Sequence, residues 1–305
     1  MTIEILRFAA IQPGPHMVVL GAVHGNETCG TAAIRTIVDS LIRKDITLAR
    51  GAVTFVPVAN PLAYERGVRY IDRNLNRDLR RRARPVLYED YLGNILCPVL
   101  ESCDFLLDLH SYHSKGPAFL FAGPPSQRED AYRAALGQET EIYGWSDAYA
   151  RLLGKVAETD DRTSIGTTEY ARQYGATAVT LECGWHKDPA SVQVAMTAIL
   201  RAMSHAGLLS SVRKVPPRPA RLRIRLEHVY WRTDGGELAK DWKHADSVKA
   251  GDILAIRADG TPVTAQQDGY ILLPRHDCPL GEEWFYVGTR QPAHISAREA
   301  YAASA

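Results

Sequence analysis

The chain of 305 residues has five cysteines, Cys29, Cys97, Cys103, Cys183 and Cys278, and no two of them stand at CxxC spacing. An odd, scattered set gives neither a disulfide framework nor a thiolate zinc site, so these thiols are expected as small buried apolar groups. An excess of one charge is also lacking: 36 Lys and Arg stand against 35 Asp and Glu, a formal net charge of +1. Nothing global therefore attracts nucleic acid or a membrane surface, and any anion must be recognised locally. No apolar run approaches the length that spans a bilayer. The opening MTIEILRFAA puts Glu4 and Arg7 where a signal peptide needs apolar residues. A cytoplasmic protein, with neither nucleic acid nor membrane as partner, is the expectation. Internal repeats and low-complexity tracts are absent as well.

What the sequence does contain is strands and helices in alternation. Residues 17–23, MVVLGAV, are continuously apolar, as a strand buried on both faces is. Ile34, Ile37, Val38, Leu41 and Ile42 then recur along one face of a helix. VTFVPVA at 53–59 reads as the next strand, which makes a βαβ unit and a parallel pairing. Further strands are expected at 105–111, 117–122 and 178–182. A helix should open at Asp188 as N-cap with Pro189 in its first turn, burying Val192, Met196, Ile199, Leu200 and Met203. This is an α/β pattern: a mostly parallel mixed sheet flanked by helices. Near residue 214 the character changes. KVPPRPA precludes regular helix, and short strands with turns follow: LRIRLEHVYW, GDILAIRADG, DGYILLPR and EEWFYVG. Residues 1–213 are read as an α/β domain and 214–305 as a smaller C-terminal all-β domain. The edge strands of the latter leave room for a homo-oligomer.

Four segments carry side chains suited to chemistry. His24-Gly25-Asn26-Glu27 follows the first apolar strand, at the carboxyl edge where α/β sheets bind ligands. An imidazole and a carboxylate are both good zinc donors, and Gly25 suits a sharp turn between them. Leu106-Leu107-Asp108-Leu109-His110 is an apolar strand that ends in histidine. His110 would complete a three-ligand set, Asp108 shares its strand face as an outer-shell acceptor, and His113 ranks second because it falls beyond the strand. Arg69 to Arg77, RYIDRNLNR, is a polar loop rich in guanidinium forks that match carboxylates. Arg80, Arg81, Arg82 and Arg84 read as solvated surface. Ala178-Val179-Thr180-Leu181-Glu182 ends a further strand in a carboxylate fit to move a proton. Each segment also has a plainer reading, as a satisfied core histidine, a strand-end ion pair or a surface loop. Their joint occurrence at strand ends favours a site.

The texts GAVHGNE, NPLAYERGVRYIDRNLNRDL, LLDLHSY and AVTLECG, in that order, resemble the succinylglutamate desuccinylase and aspartoacylase family, itself similar to the zinc carboxypeptidases. The resemblance implies one Zn2+ held by His24, Glu27 and His110, with Glu182 as base and then acid. It implies that Arg69 stabilises the oxyanion, that Asn76 and Arg77 hold a substrate carboxylate, and that Arg172 reads a second one. The implied activity is hydrolysis of the amide of a small N-acyl amino acid; a metallocarboxypeptidase-like peptidase is the alternative. Asn74 stands where family members often carry Asp, and so cannot supply a negative charge to orient Arg77.

Overall fold

A computed structural model of the chain describes residues 2–145, 147–148, 165–209, 218 and 220–292. Strands β1 (Leu6–Ala9), β2 (His16–Leu20) and β3 (Ala52–Val56) are followed by β4 (Phe105–Tyr112), β5 (Phe119–Phe121), β6 (Thr140–Tyr143) and β7 (Thr177–Trp185). Helices α1 (Cys29–Ile42), α2 (Pro61–Arg66), α3 (Tyr88–Glu101), α4 (Gln127–Leu136), α5 (Thr167–Gln173) and α6 (Ala190–His205) connect or flank them. The later strands include β8 (Leu222–Trp231), β10 (Asp246–Val248), β13 (Gly269–Leu272) and β14 (Glu283–Gln291).

An 11-stranded sheet runs in the order β1-β3-β2-β4-β7-β5-β6-β8-β14-β13-β10. The steps β3-β2-β4-β7 and β5-β6-β8 are parallel, whereas β1 and β5 pair antiparallel to β3 and β7. Beyond β8 every step is antiparallel. The expected mixed α/β sheet is present, and the C-terminal strands extend it through β6 and β8. β9 (Glu237–Leu238), β11 (Ile253–Ile256) and β12 (Pro262–Thr264) form a separate three-stranded sheet. Residues 214–217 of the Pro-rich segment, and the boundary after residue 213, lie outside the described residues.

The pleat divides the core. Met17, Val19, Leu107, Leu109, Val179 and Leu181 face α1 and α6, while Val18, Leu20, Leu106 and Ala178 face α3 and α5. The strands are covered on both sides, which is why their text is continuously apolar. Ile34, Ile37, Val38 and Leu41 are buried as the helical period requires, but Ile42 is 64% exposed because it stands about 80° around the helix from Ile34. α6 opens at Ala190, one residue later than expected, with Pro189 at the cap position, while Asp188 accepts the Ala190 N–H as an N-cap side chain would. All five cysteines are buried and unpaired. Among the described residues no helix is long and apolar enough to cross a membrane.

Candidate active site

One loop and one strand at the carboxyl edge of the sheet meet at one cluster. His24 and Glu27 sit between β2 and α1, and His110 lies near the end of β4. Their ligating atoms all fall within 4.8 Å of one another, and all three residues are buried. Glu27 Oε1 is 2.8 Å from His24 Nδ1, and Glu27 Oε2 is 2.8 Å from His110 Nδ1. Glu27 also accepts from Arg69 Nη1 at 2.7 Å and from the Ser111 N–H at 3.1 Å. Burial and the Arg69 charge push the His24 imidazole down to about 4, so it is neutral at physiological pH.

The far side of the His24 ring fixes its tautomer. His24 Nε2 lies 2.9 Å from Asn74 Oδ1, and that oxygen also accepts the Asn76 N–H at 2.9 Å. An oxygen that already accepts an N–H is an acceptor, so the His24 proton sits on Nε2 and the Nδ1 lone pair faces Glu27. Asp108 Oδ2 stands 2.9 Å from His110 Nε2, off the line of a straight hydrogen bond, and accepts a hydrogen bond from the Thr167 hydroxyl. The two Nδ1 atoms are 3.2 Å apart. His24 thus turns a lone pair toward the Glu27 carboxylate and His110 Nδ1. Against the desolvation of burial, the carboxylates of Asp108 and Glu27 hold the His110 imidazole well above its usual range, so a proton on His110 or a cation among the three groups relieves the repulsion. Zinc–nitrogen bonds of about 2.0–2.1 Å in a tetrahedron separate two ligand nitrogens by about 3.3 Å, so the donor set and its spacing fit that ion.

Gly25 serves this geometry by being small rather than by turning. A Cβ there would meet the Ala63 carbonyl carbon at 2.1 Å and the Tyr64 nitrogen at 2.3 Å, so α2 can seat directly beneath the histidine loop. The Arg-rich loop is held by Glu89, a fully buried carboxylate in the first turn of α3. It accepts the N–H groups of Ile71, Asp72 and Arg73 at 2.8, 3.1 and 3.2 Å. Arg73 pairs with Asp90 at 3.0 Å and donates to the Arg77 carbonyl, which makes it a brace of the loop. Asn76 Oδ1 accepts the Thr167 N–H at 2.8 Å.

Glu182 is paired in parallel register with His110 on the adjoining strand. Its Oε2 is buried without a hydrogen-bond partner among the described residues. Burial, reinforced by the neighbouring Glu27, pushes its carboxyl up to about 8. His24, Glu27, His110, Glu182, Arg69, Asn76, Arg77 and Arg172 all line one cavity of about 620 Å³. Every sequence-derived candidate thus opens onto the same space. Leu273, Arg275, Glu283 and Tyr286 of the C-terminal region line it too, as do Phe121, Tyr143 and Trp145, none of which the sequence motifs pointed to. His113 also lines it, but packs edge-on against the His186 ring at 4.5 Å, away from the three-residue cluster.

The model of the succinylglutamate desuccinylase/aspartoacylase catalytic domain matches residues 13–206, more than half of the chain. An N-acyl-aromatic-L-amino acid amidohydrolase (carboxylate-forming) of Xenopus tropicalis is 35% identical over 124 residues, covering 34% of this chain and 36% of that protein. A succinylglutamate desuccinylase of Idiomarina loihiensis is 28% identical over 203 residues, 59% of this chain and 54% of that protein. The matched stretches thus span only about a third to a half of these curated relatives. A crystal structure of a succinylglutamate desuccinylase/aspartoacylase from Rhodobacter sphaeroides superimposes with a TM-score of 0.72 at 18% identity, covering 95% of this chain and 90% of that one. The ordered motifs, the sheet that carries them and the matched catalytic domain together make this chain a member of the succinylglutamate desuccinylase/aspartoacylase family.

Proposed function

We propose that the chain is a zinc-dependent amidohydrolase that cleaves the acyl-amide bond of a small N-acylated amino acid. Residues 1–213 would form the catalytic unit, and 214–305 a β unit that walls its cavity. The observation that carries this reading is the buried convergence of two imidazole nitrogens and the Glu27 carboxylate on the cavity that Glu182 also lines. His24, Glu27 and His110 would hold the metal. Zinc at such a site lowers the pKa of a water and polarises a carbonyl.

The rest is the work of the chain's own side chains. Glu182 takes a proton from the attacking water and returns it to the leaving nitrogen. Its raised carboxyl pKa suits an acid and base operating near neutrality. With a metal held by His24, Glu27 and His110, Glu182 would face it as the carboxylate, the form that accepts the proton. Arg69 donates to the oxyanion as the carbonyl becomes tetrahedral, a contribution of a few kcal/mol in comparable sites. Asn76 and Arg77 clamp the carboxylate of the amino-acid portion.

The named activities of the relatives, deacylation of aromatic amino acids and removal of succinyl from glutamate, support this class of reaction. The test is to measure zinc content and amine release from a panel of N-acetyl and N-succinyl amino acids, alongside short peptides. About one zinc per chain and turnover of the acyl amino acids are expected. Trimming of peptides without deacylation would replace this reading with the metallocarboxypeptidase one.

A further inference from the structure

The two histidines that converge on Glu27 are joined behind their rings by an arc of polar contacts, and that arc passes through a residue of the proposed substrate clamp. His24 Nε2 meets Asn74 Oδ1 at 2.9 Å, and the same oxygen accepts the Asn76 N–H at 2.9 Å. Asn76 Oδ1 in turn accepts the Thr167 N–H at 2.8 Å. The Thr167 hydroxyl donates to Asp108 Oδ2, and Asp108 Oδ2 lies 2.9 Å from His110 Nε2. Thr167 opens α5 and is fully buried, as is Asp108. Its backbone serves one side of the site and its side chain the other.

Each arm has a consequence. A backbone N–H can only donate, so the Asn76 atom that faces Thr167 is the carbonyl oxygen. Asn76 lines the cavity, and its Nδ2 is thereby the atom left to donate to a substrate carboxylate. Gly166 secures this approach by its size, because a Cβ there would come within 2.2 Å of Asn76 Oδ1. Its φ of −96° is open to any residue, so the glycine is needed for space and not for backbone freedom. Along the other arm, the Thr167 hydroxyl donates the one hydrogen bond that the Asp108 carboxylate accepts among the described residues, and Asp108 Oδ1 has no partner there. A buried carboxylate with a single donor and one imidazole beside it depends on both for its position.

From these contacts we infer that Thr167 is a positioning residue with two arms: its hydroxyl sets Asp108 behind His110, and its N–H turns the Asn76 amide toward the substrate. The Asn76 arm rests on the deacylase reading above. The Asp108 arm rests only on the convergence of His24, Glu27 and His110 on a metal.

Two substitutions separate the arms. Thr167→Val removes the hydroxyl, keeps the N–H and nearly keeps the shape. It is expected to weaken zinc binding by about tenfold, the lower end of what outer partners contribute, while KM for an N-acetyl amino acid at saturating zinc stays near the parental value. Thr167→Ser retains the hydroxyl and should retain the affinity. Gly166→Ala leaves the hydroxyl in place and displaces Asn76. It should raise KM by about tenfold or more, as loss of a hydrogen bond to a charged group does, with kcat and zinc affinity nearly unchanged. Competition against a chromophoric chelator reads the affinities, and Thr167→Ala takes the place of the valine variant should that one fold poorly. Parental zinc affinity without the hydroxyl, or a loss that the serine variant shares, overturns the Asp108 arm. A parental KM in Gly166→Ala overturns the Asn76 arm, and equal losses of zinc affinity and of KM in both variants leave Thr167 a structural role alone. Zinc-loaded parent that turns over no N-acyl amino acid fails the deacylase reading and the Asn76 arm with it, whereas the chelator competition still decides the Asp108 arm.

Discussion

Asn74 Oδ1 lies 2.9 Å from His24 Nε2, on the side of the ring away from Glu27. The same oxygen accepts the Asn76 N–H, so one neutral amide both orients an imidazole and pins the loop that carries Asn76 and Arg77. A carboxylate at this position would orient the ring in the same way and also raise its basicity. Such outer partners change metal affinity by about 10–100-fold. Asn74→Asp is therefore expected to tighten zinc binding and Asn74→Leu to weaken it, both within about that range. Competition against a chromophoric chelator measures the effect. Equal affinities across the three proteins would show that the amide does not act on the metal.

Glu182→Gln keeps the shape of the side chain and removes its capacity to hold a proton. The zinc content should stay unchanged, because Glu182 is not one of the three converging residues. Turnover should fall by about 10²–10⁴-fold, the usual worth of a positioned acid–base group. Single-turnover rates on the zinc-loaded variant provide the check, and near-normal rates would remove Glu182 from the reaction.

The convergence of His24, Glu27 and His110 was legible in the sequence because these residues stand out against their surroundings. A histidine or glutamate near the end of a buried apolar strand, as His110 and Glu182 are, has no packing reason to be there. The parallel sheet was legible for the related reason that strands covered on both faces lose their alternation. The aromatic lining of the cavity was not. Phe121 and Trp145 stand 24 residues apart and Tyr286 lies 141 residues further on, and each alone is an ordinary core or surface aromatic. Glu89 was hidden in another way. It reads as a first-turn helix carboxylate, and nothing local reveals that it faces three loop N–H groups instead of solvent. The extension of the sheet through β6 into β8 also lies beyond local pattern, since register between distant strands is a tertiary property. The reason for Gly25 could be misread from sequence for the same cause, because the Ala63 backbone that crowds it arrives from another segment.

Removal of metal should cost stability as well as activity. Without a cation, the two Nδ1 atoms lie 3.2 Å apart beside the buried Glu27 carboxylate, and a proton held on His110 is all that offsets their crowding. An ion that binds only the folded chain stabilises it by about 4 kcal/mol at a thousandfold excess over its dissociation constant. Treatment with a strong chelator should therefore lower the melting temperature by several degrees, and equimolar zinc should restore it. Differential scanning calorimetry with and without chelator reads this directly. An unchanged transition in protein shown to be metal-free would mean that the cluster is satisfied by internal hydrogen bonds alone.

His244 gives the fold a dependence on pH that is separable from the active site. Its ring stacks on Phe119 at 4.5 Å and 24°, and Tyr112 lies 4.9 Å away, so the C-terminal region meets β4 and β5 here. Nδ1 accepts the Leu273 N–H at 3.2 Å, and burial pushes the pKa from 6.5 down to about 3. Between those two values the unfolded chain binds a proton that the folded chain refuses. Stability is thus complete above pH 6.5 and falls as the pH drops toward 3, by about 1.4 kcal/mol per pH unit from this residue. His244→Phe keeps a ring on Phe119 and removes the titration, but loses the acceptor for Leu273, a cost of about 1 kcal/mol. At pH 7 the variant should therefore be less stable than the parent by about that amount. At about pH 4.5 the order should reverse, since the parent alone has then lost nearly 3 kcal/mol at this position by the same proton linkage. Urea unfolding at the two pH values decides it: a stability difference that does not change sign would mean that the ring gains access to solvent or a proton acceptor before the fold is lost.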